Sequence, residues 1–374
     1  MLGLDIGTHA IYVVRYTAGK VLAYGQCPTP PDSVSEGTVA HPQRVAEALH
    51  RLLGTMRVRE RKVVLTVGGT QVMTKWVVVP VMSLEELNSA APLEAPRHLP
   101  PTKEPMLYRF WVPEASESVH SAPSENADSA KMPARLVAVP MALAHSRLDT
   151  ALMAGLEPIG IVPEPDAMTY VLTLNHRPQS VLWRGKATAI VGIRYEHTEM
   201  VIARETALEF ARTLRLGLND AIETLKHALG ASHAEAEALM LSAHLDEEGT
   251  LHFPESLGLP ALSMLSFLHA LTSEMRRLID FQRSRYPEGS YWGLLDSFLL
   301  TGEGTTLKGL ANYCARSLGL TCIAGNPFQG IRWAMPTEDL DPDAMNRYTA
   351  ALGAVMILQK AQPLVPEETE SVAA

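Results

Sequence analysis

Apolar residues occupy nearly every position from Leu2 to Ile6, interrupted at Asp5 and followed by the turn Gly7-Thr8-His9. This short run predicts a strand, and two more follow, Ala10 to Tyr16 and Val21 to Tyr24, with Gly19-Lys20 between them. Apolar runs joined by glycine-containing turns predict an antiparallel three-stranded meander. From His41 to Met56 the period becomes helical, with Val45, Leu49, Leu52 and Leu53 on one face. Lys62 to Val67 and Met73 to Val81 read as strands again, as does Arg135 to Pro140. Met141 to Ala154 then predicts a helix, stopped by Gly155 in a position that suits glycine. A short strand, Gly160 to Pro163, and a helix, Ala167 to Leu174, complete the first half.

At Ala187 the opening pattern returns as strand, turn, strand, turn, strand. Gly192 falls in register with Asp5, 187 residues earlier, which is half of the 374-residue chain. Two similar halves predict a duplicated α/β domain, and no short-period repeat is visible. The second half is more helical. Helices are expected over Asn219 to Leu229 and His233 to Ala243, with Ser232 as N-cap, and over about Pro260 to Arg285. A strand from Phe298 enters a glycine-rich turn, Gly302 to Thr306, and leads to a helix over Leu307 to Leu318. A strand, Leu320 to Ala324, and a late helix, Asn346 to Gln359, follow. Two segments depart from any period. Prolines 92, 96, 100, 101 and 105 predict that no continuous helix crosses this stretch, since each costs about 3 kcal/mol inside one. Pro113 to Pro133, with five serines and few bulky apolar residues, predicts a disordered loop, and the tail from Gln362 a frayed end.

Composition narrows the function. At 47% hydrophobic and 20% charged residues, the chain is an ordinary globular one, long enough for two cores. No apolar run reaches the roughly 18–20 residues of a membrane span. The opening MLGLDIGTHA lacks the basic start of a signal peptide, and only Cys27, Cys314 and Cys322 are present, so a cytosolic chain without a disulfide framework is expected. A net charge of −9 disfavours nucleic-acid binding. The thirteen histidines are scattered and no cysteine pair has metal spacing, so no zinc site is expected. His9 and His197 read as exposed turn residues, Cys314 and Cys322 as small core residues, and Trp76, Trp183, Trp292 and Trp333 as packing anchors.

Two segments carry candidate chemistry. Asp5-Ile6-Gly7-Thr8 ends a strand in a glycine turn whose amides can face a phosphate, with Asp5 holding a metal through water. Any hairpin turn would suit Gly7 equally. Gly302-Glu303-Gly304-Thr305 joins a strand to a helix and leaves amides free for an anion, or is a plain connection.

The duplicated meander and the late glycine turn together resemble the actin-like ATPase superfamily and, within it, the type IV pilus assembly PilM family, related to the cell-division protein FtsA. Leu2 to Thr8 is similar to the family's first phosphate loop. Phe210 to Asn219, Ala221-Ile222 and Ala236-Glu237 look like the entry to the small second-lobe subdomain. Glu274 to Arg277 and Asp280 to Arg283 look like the long helix before the adenosine loop, and Phe298 to Leu310 like that loop. Gly325-Asn326-Pro327-Phe328 is similar to the Asn-Pro after the next strand.

The resemblance implies an actin-like α/β fold, ribonuclease H-like and duplicated, with two lobes and four subdomains around a nucleotide cleft. Subdomain 1A would comprise residues 1–81 and 334–374, 1C residues 82–155, 2A residues 156–213 and 262–333, and 2B residues 214–261. It implies nucleotide contacts from Asp5, Gly7, Thr8, His9, Arg194, Thr198, Glu237, Gly302, Glu303, Gly304 and Thr305, with magnesium held near Asp5 through water. The departures weigh against this. Gly192-Ile193-Arg194 stands where the family's second phosphate loop has Asp-Ile-Gly, Met240 and Tyr12 stand at family lysines, and Pro92 and Pro96 fall in a usual helix. ATP and magnesium are thus expected to bind weakly or not at all, without hydrolysis, although Arg194 can offset phosphate charge directly. Restoring Gly192→Asp, Arg194→Gly and Met240→Lys together is expected to tighten nucleotide binding.

The function implied is a cytoplasmic scaffold, peripheral at the inner membrane. It would bind the cytoplasmic N-terminal peptide of a PilN-like protein in a groove between subdomains 1A and 1C, with other platform or motor proteins as further partners. Against it stand an active ATPase or small-molecule kinase on the same fold, and an FtsA-like or MreB-like filament former.

Overall fold

A computed structural model describes residues 1–111, 131–175, 185–334 and 342–361. The loop expected over 113–133 lies outside the described residues up to position 130, as do Trp183 and the tail from Gln362.

The opening meander is β1 (Leu2–Ile6), β2 (Ala10–Thr17) and β3 (Lys20–Pro28), followed by a two-residue pair, β4 (Val34–Ser35) and β5 (Thr38–Val39). Helix α1 (Pro42–Thr55) lays Val45, Leu49, Leu52 and Leu53 against it, the stripe read from the sequence. Next come β6 (Lys62–Val67), β7 (Met73–Pro80), α2 (Leu84–His98), β8 (Met106–Trp111), β9 (Lys131–Pro140), α3 (Met141–Met153), β10 (Glu157–Pro163) and α4 (Glu164–Asn175). The second half holds β11 (Ala187–Ile193), β12 (Thr198–Arg204), β13 (Ala207–Leu214), α5 (Leu218–Leu229), α6 (His233–Ser242), β14 (His244–Leu245), β15 (Thr250–His252), β16 (Leu262–Ser263), α7 (Leu265–Ser284) and β17 (Leu295–Thr301). It continues through α8 (Leu310–Leu318), β18 (Thr321–Ala324), β19 (Arg332–Trp333), α9 (Pro342–Met345) and α10 (Thr349–Ala361).

Two mixed sheets dominate, ordered β10-β6-β1-β2-β3-β19 and β18-β17-β11-β12-β13. Apart from β19, the orders match element for element, which is the duplication expected from the sequence. The register carries it to single residues. Asp5 pairs with Tyr12 and Leu4 with Leu65, while Gly192 pairs with Glu199 and Val191 with Leu300. Helices α4 and α10 lie between the sheets, where Tyr12, Val14, Met168, Ile190, Val201, Leu299, Ala351 and Val355 share one core. The packing is close enough that a Cβ on Gly3 would collide with the Ala351 carbonyl, and one on Gly353 with the Ala167 carbonyl.

Two sequence expectations are corrected here. Helix α2 runs continuously through Pro92 and Pro96. Leu87, Ala91 and Ala95 form a buried stripe at four-residue spacing, and both prolines lie on the exposed face, so the carbonyls they leave unpaired lie on the solvent side. A Ser83–Glu86 capping box secures its start. The long helix α7 begins at Leu265, because Leu262 and Ser263 pair with β15 instead. Strand β7 pairs with β9 in a separate three-stranded sheet, β7-β9-β8, and β10 joins the first sheet through β6. No described helix is long and apolar enough to cross a membrane.

Candidate functional site

Strands β1 and β11 are buried at nearly every residue and end in turns of the same build. The Gly7 amide donates to the Ala10 carbonyl at 2.9 Å, and the Arg194 amide to the His197 carbonyl at 2.8 Å. The two turns face each other across the cleft. Thr8 donates its hydroxyl proton to Glu196 at 2.8 Å, and the His9 ring stacks on Tyr195 with centroids 4.3 Å apart. His9 Nε2 also lies 2.8 Å from Glu237 of α6, and the Tyr195 hydroxyl 2.6 Å from His233. The third segment, Gly302 to Thr305, packs directly on Ile193, where a side chain on Gly302 or Gly304 would collide.

Arg194 fills the centre. It is 5% exposed, and its guanidinium touches three carboxylates from three elements. Asp5 Oδ2 lies 2.5 Å away, Glu164 Oε1 3.1 Å and Glu303 Oε2 3.5 Å. The Tyr12 ring centroid lies 5.9 Å from the guanidinium carbon. Burial opposes the charge, but Asp5, Glu303 and Glu164 outweigh it and push the Arg194 pKa well above its ordinary value. The other oxygen of Asp5 accepts from Thr66 at 2.6 Å.

The residues expected to meet nucleotide are therefore brought together but already engaged. Asp5, Arg194 and Glu303 hold one another; Thr8, His9 and Glu237 close the mouth of the cleft. Thr198 is fully buried and donates to the Leu216 carbonyl. The Gly302 amide donates to the Asn346 carbonyl, and the Thr305 hydroxyl to the Gly302 carbonyl. Gly7 lends its amide to the turn, and Gly304 is taken up by packing. The cavity left, lined by His9, Tyr12, Tyr195, Glu237 and Met240, measures ≈ 180 Å³. Ordinary small-molecule pockets are roughly 300–1,000 Å³.

The histidine expectations need correction. His9 is half-buried in the stack, and the His197 side chain is 20% exposed, lodged between two glutamates. Those glutamates, Glu164 and Glu199, were missed from the sequence. Burial alone would raise the Glu164 carboxyl, but Arg194 and His197 bring its pKa down to about 2. Glu199 has no arginine against it, and burial drives it up to about 7. With His197 they form a buried set of metal-ligand type, which the scattered histidines did not suggest. Glu164 lies 33 residues from His197, too far for any spacing rule to join them.

Restoring a family-like second turn meets resistance from the packing. A Cβ on Gly192 would lie 2.5 Å from Met168 Sδ, and Met240 is 1% exposed in the second-lobe core. Those changes alone would therefore strain the site before they served a nucleotide.

The fold has solved counterparts. A chain of a PilM–PilN type IV pilus biogenesis complex is similar at a TM-score of 0.76 and 24% identity, with 95% of this chain and 97% of that one covered. MreB5 of Spiroplasma citri, solved bound to ADP, is similar at 0.50 and 10% identity over 96% of each chain. At these identities the likeness establishes the actin-like fold. The family model of the type IV pilus assembly protein PilM matches residues 3–357, nearly the whole chain, and the protein belongs to that family.

Proposed function

We propose that this protein is a cytoplasmic scaffold of the type IV pilus inner-membrane platform. It captures the N-terminal cytoplasmic peptide of a PilN-like membrane protein and does not turn over ATP. The observation that carries the scaffold reading is Arg194. Its guanidinium occupies the ground between the phosphate turns and holds the carboxylate that would organise magnesium. A magnesium–nucleotide would have to displace a buried, triply paired cation and open a cavity of ≈ 180 Å³, so binding is weak or absent.

The partner reading rests on family membership and on one face of the β7-β9-β8 sheet. Its other face packs on α2 through Val77, Val79, Phe110 and Leu136. Trp76, Arg135 and Trp111 cross the three strands in one row, and Trp111 and Val78 are 51% and 66% exposed. Arg135 is paired with Asp166 at the start of α4, which turns this face toward the β10–α4 junction. A cavity of ≈ 340 Å³ opens there between Thr74, Lys75, Leu99, Pro163 and Asp166. The Thr74 hydroxyl and the Trp76 indole N–H are buried without a hydrogen bond. An extended peptide entering between subdomains 1A and 1C would supply their partners and cover the tryptophans.

Calorimetry with the PilN N-terminal peptide of the same organism tests this, alongside a phosphate-release assay. Micromolar binding, about −8 kcal/mol, is expected, abolished by Trp76→Ala and unaffected by deletion of residues 114–130. Turnover of ATP at about 1 per second or faster would overturn the scaffold reading. A wild-type chain giving no heat with the peptide would overturn the partner.

A further inference from the structure

Glu164, His197 and Glu199 place three donor atoms within 4.8 Å of one another. They come from separate places in the fold. Glu164 opens α4 after β10, His197 closes the turn before β12, and Glu199 is the second residue of β12. His197 Nε2 lies 3.4 Å from Glu164 Oε2 and 3.9 Å from Glu199 Oε1. Bonds of about 2.0–2.2 Å to a tetrahedral ion set such donors roughly 3.3–3.5 Å apart. One His197 pair already has that spacing, the other needs to close by a few tenths of an ångström, and the two carboxylates, within 4.8 Å of each other, close by up to about 1.5 Å.

Two independent features point to a cation. The first is support from behind. Both oxygens of Glu199 lie 2.9 Å from the Thr213 hydroxyl, and one also accepts the Gly69 amide at 3.3 Å, as ligating carboxylates are commonly oriented. A Cβ on the neighbouring Gly68 would collide with the Glu164 carboxylate, so the glycine keeps room beside that ligand. The second feature is charge. Asp5, Glu164, Glu199 and Glu303 are each 1–4% exposed, whereas the cations beside them are Arg194, Arg147 and His197. Glu164 Oε1 and Glu303 Oε2 face Arg194 without an aligned hydrogen bond, and it is the other Glu164 oxygen, Oε2, that meets His197. Among the described residues, the cation paired with the buried Glu199 is His197 at 3.9 Å, a loose partner in a desolvated place where a poorly compensated charge is strongly unfavourable.

We propose that Glu164, His197 and Glu199 bind one divalent transition-metal ion of the zinc or manganese class, beside the Arg194 cluster. An imidazole among the ligands favours such ions over magnesium. The ion gives Glu199 a closer cation than His197 provides and pins the β10–α4 junction of the first sheet to β12 of the second. The site borders the peptide cavity, whose lining includes Glu199 and Thr213, but its metal is counted without peptide or nucleotide, so it can stand or fall without the scaffold reading.

The test is a metal titration of the full chain after chelator treatment, with zinc, manganese and magnesium in separate arms. Bound metal is counted by elemental mass spectrometry, and thermal stability is followed in parallel. One zinc or manganese ion per chain is expected, with a raised melting temperature and no comparable effect of magnesium. His197→Ala and the isosteric Glu199→Gln should each weaken binding at least tenfold while leaving the circular dichroism spectrum unchanged. A stripped wild-type chain that takes up no stoichiometric ion overturns the proposal, whatever the variants do. So does uptake that both folded variants retain; His197 would then be only a charged link between two glutamates.

Discussion

The first turn, Gly7 to Ala10, and the second, Arg194 to His197, share backbone hydrogen bonding, register and place in their sheets. Their side chains are opposite in kind. The first presents glycine, threonine, histidine and alanine; the second presents arginine, tyrosine, glutamate and histidine. The two halves share the scaffold, while the second turn supplies the side chain that fills the cleft. One loop backbone thus carries two quite different side-chain chemistries in the two halves of the chain.

The largest test of that contrast is Arg194→Ala, which gives the second turn a small residue like the first. It strips Asp5, Glu164 and Glu303 of their shared cation. A loss of about 3–5 kcal/mol in urea unfolding is expected, as for other buried pairs broken on one side. A loss below about 1 kcal/mol would mean that the cluster is solvated and the turns are less different than their side chains suggest. Next comes Gly192→Asp, which gives β11 the residue that β1 carries at the matching position. With Met168 Sδ in the way, about 1–3 kcal/mol of overpacking is expected, partly relieved by Met168→Ala. Full stability of the single variant would show that the core yields more readily than its packing indicates. The smallest effect belongs to Thr8→Ala, which removes an exposed hydrogen bond between the turns. No more than about 1 kcal/mol should be lost in the same unfolding experiment.

Much of the fold was legible because the periodicities and the 187-residue offset report directly on burial and register. The meander, α1 and the capped α6 follow from local pattern. Helix α2 does not, because the cost of Pro92 and Pro96 is local while the stripe Leu87, Ala91, Ala95 and the Ser83 cap act together against it. The site was legible in its parts but not in its state. Asp5, Arg194 and Glu303 could each be named from the sequence, yet their mutual pairing depends on three elements meeting. Glu164 and Glu199 gave no local signal, since a lone glutamate between two prolines, or on a buried strand, has no pattern to distinguish it.

The seat of α10 bears on how the molecule is made. This helix lies directly on β1 and α4, and Gln359 reaches back 343 residues to the Tyr16 carbonyl. The first lobe therefore cannot complete its core as it leaves the ribosome. Its apolar inner face must wait until the second lobe has been synthesised, which is the kind of interval in which exposed sheet surface recruits chaperones. A chain truncated before Thr349 should leave two sheets without the helix that joins their cores, and early termination would be felt at the N-terminus first.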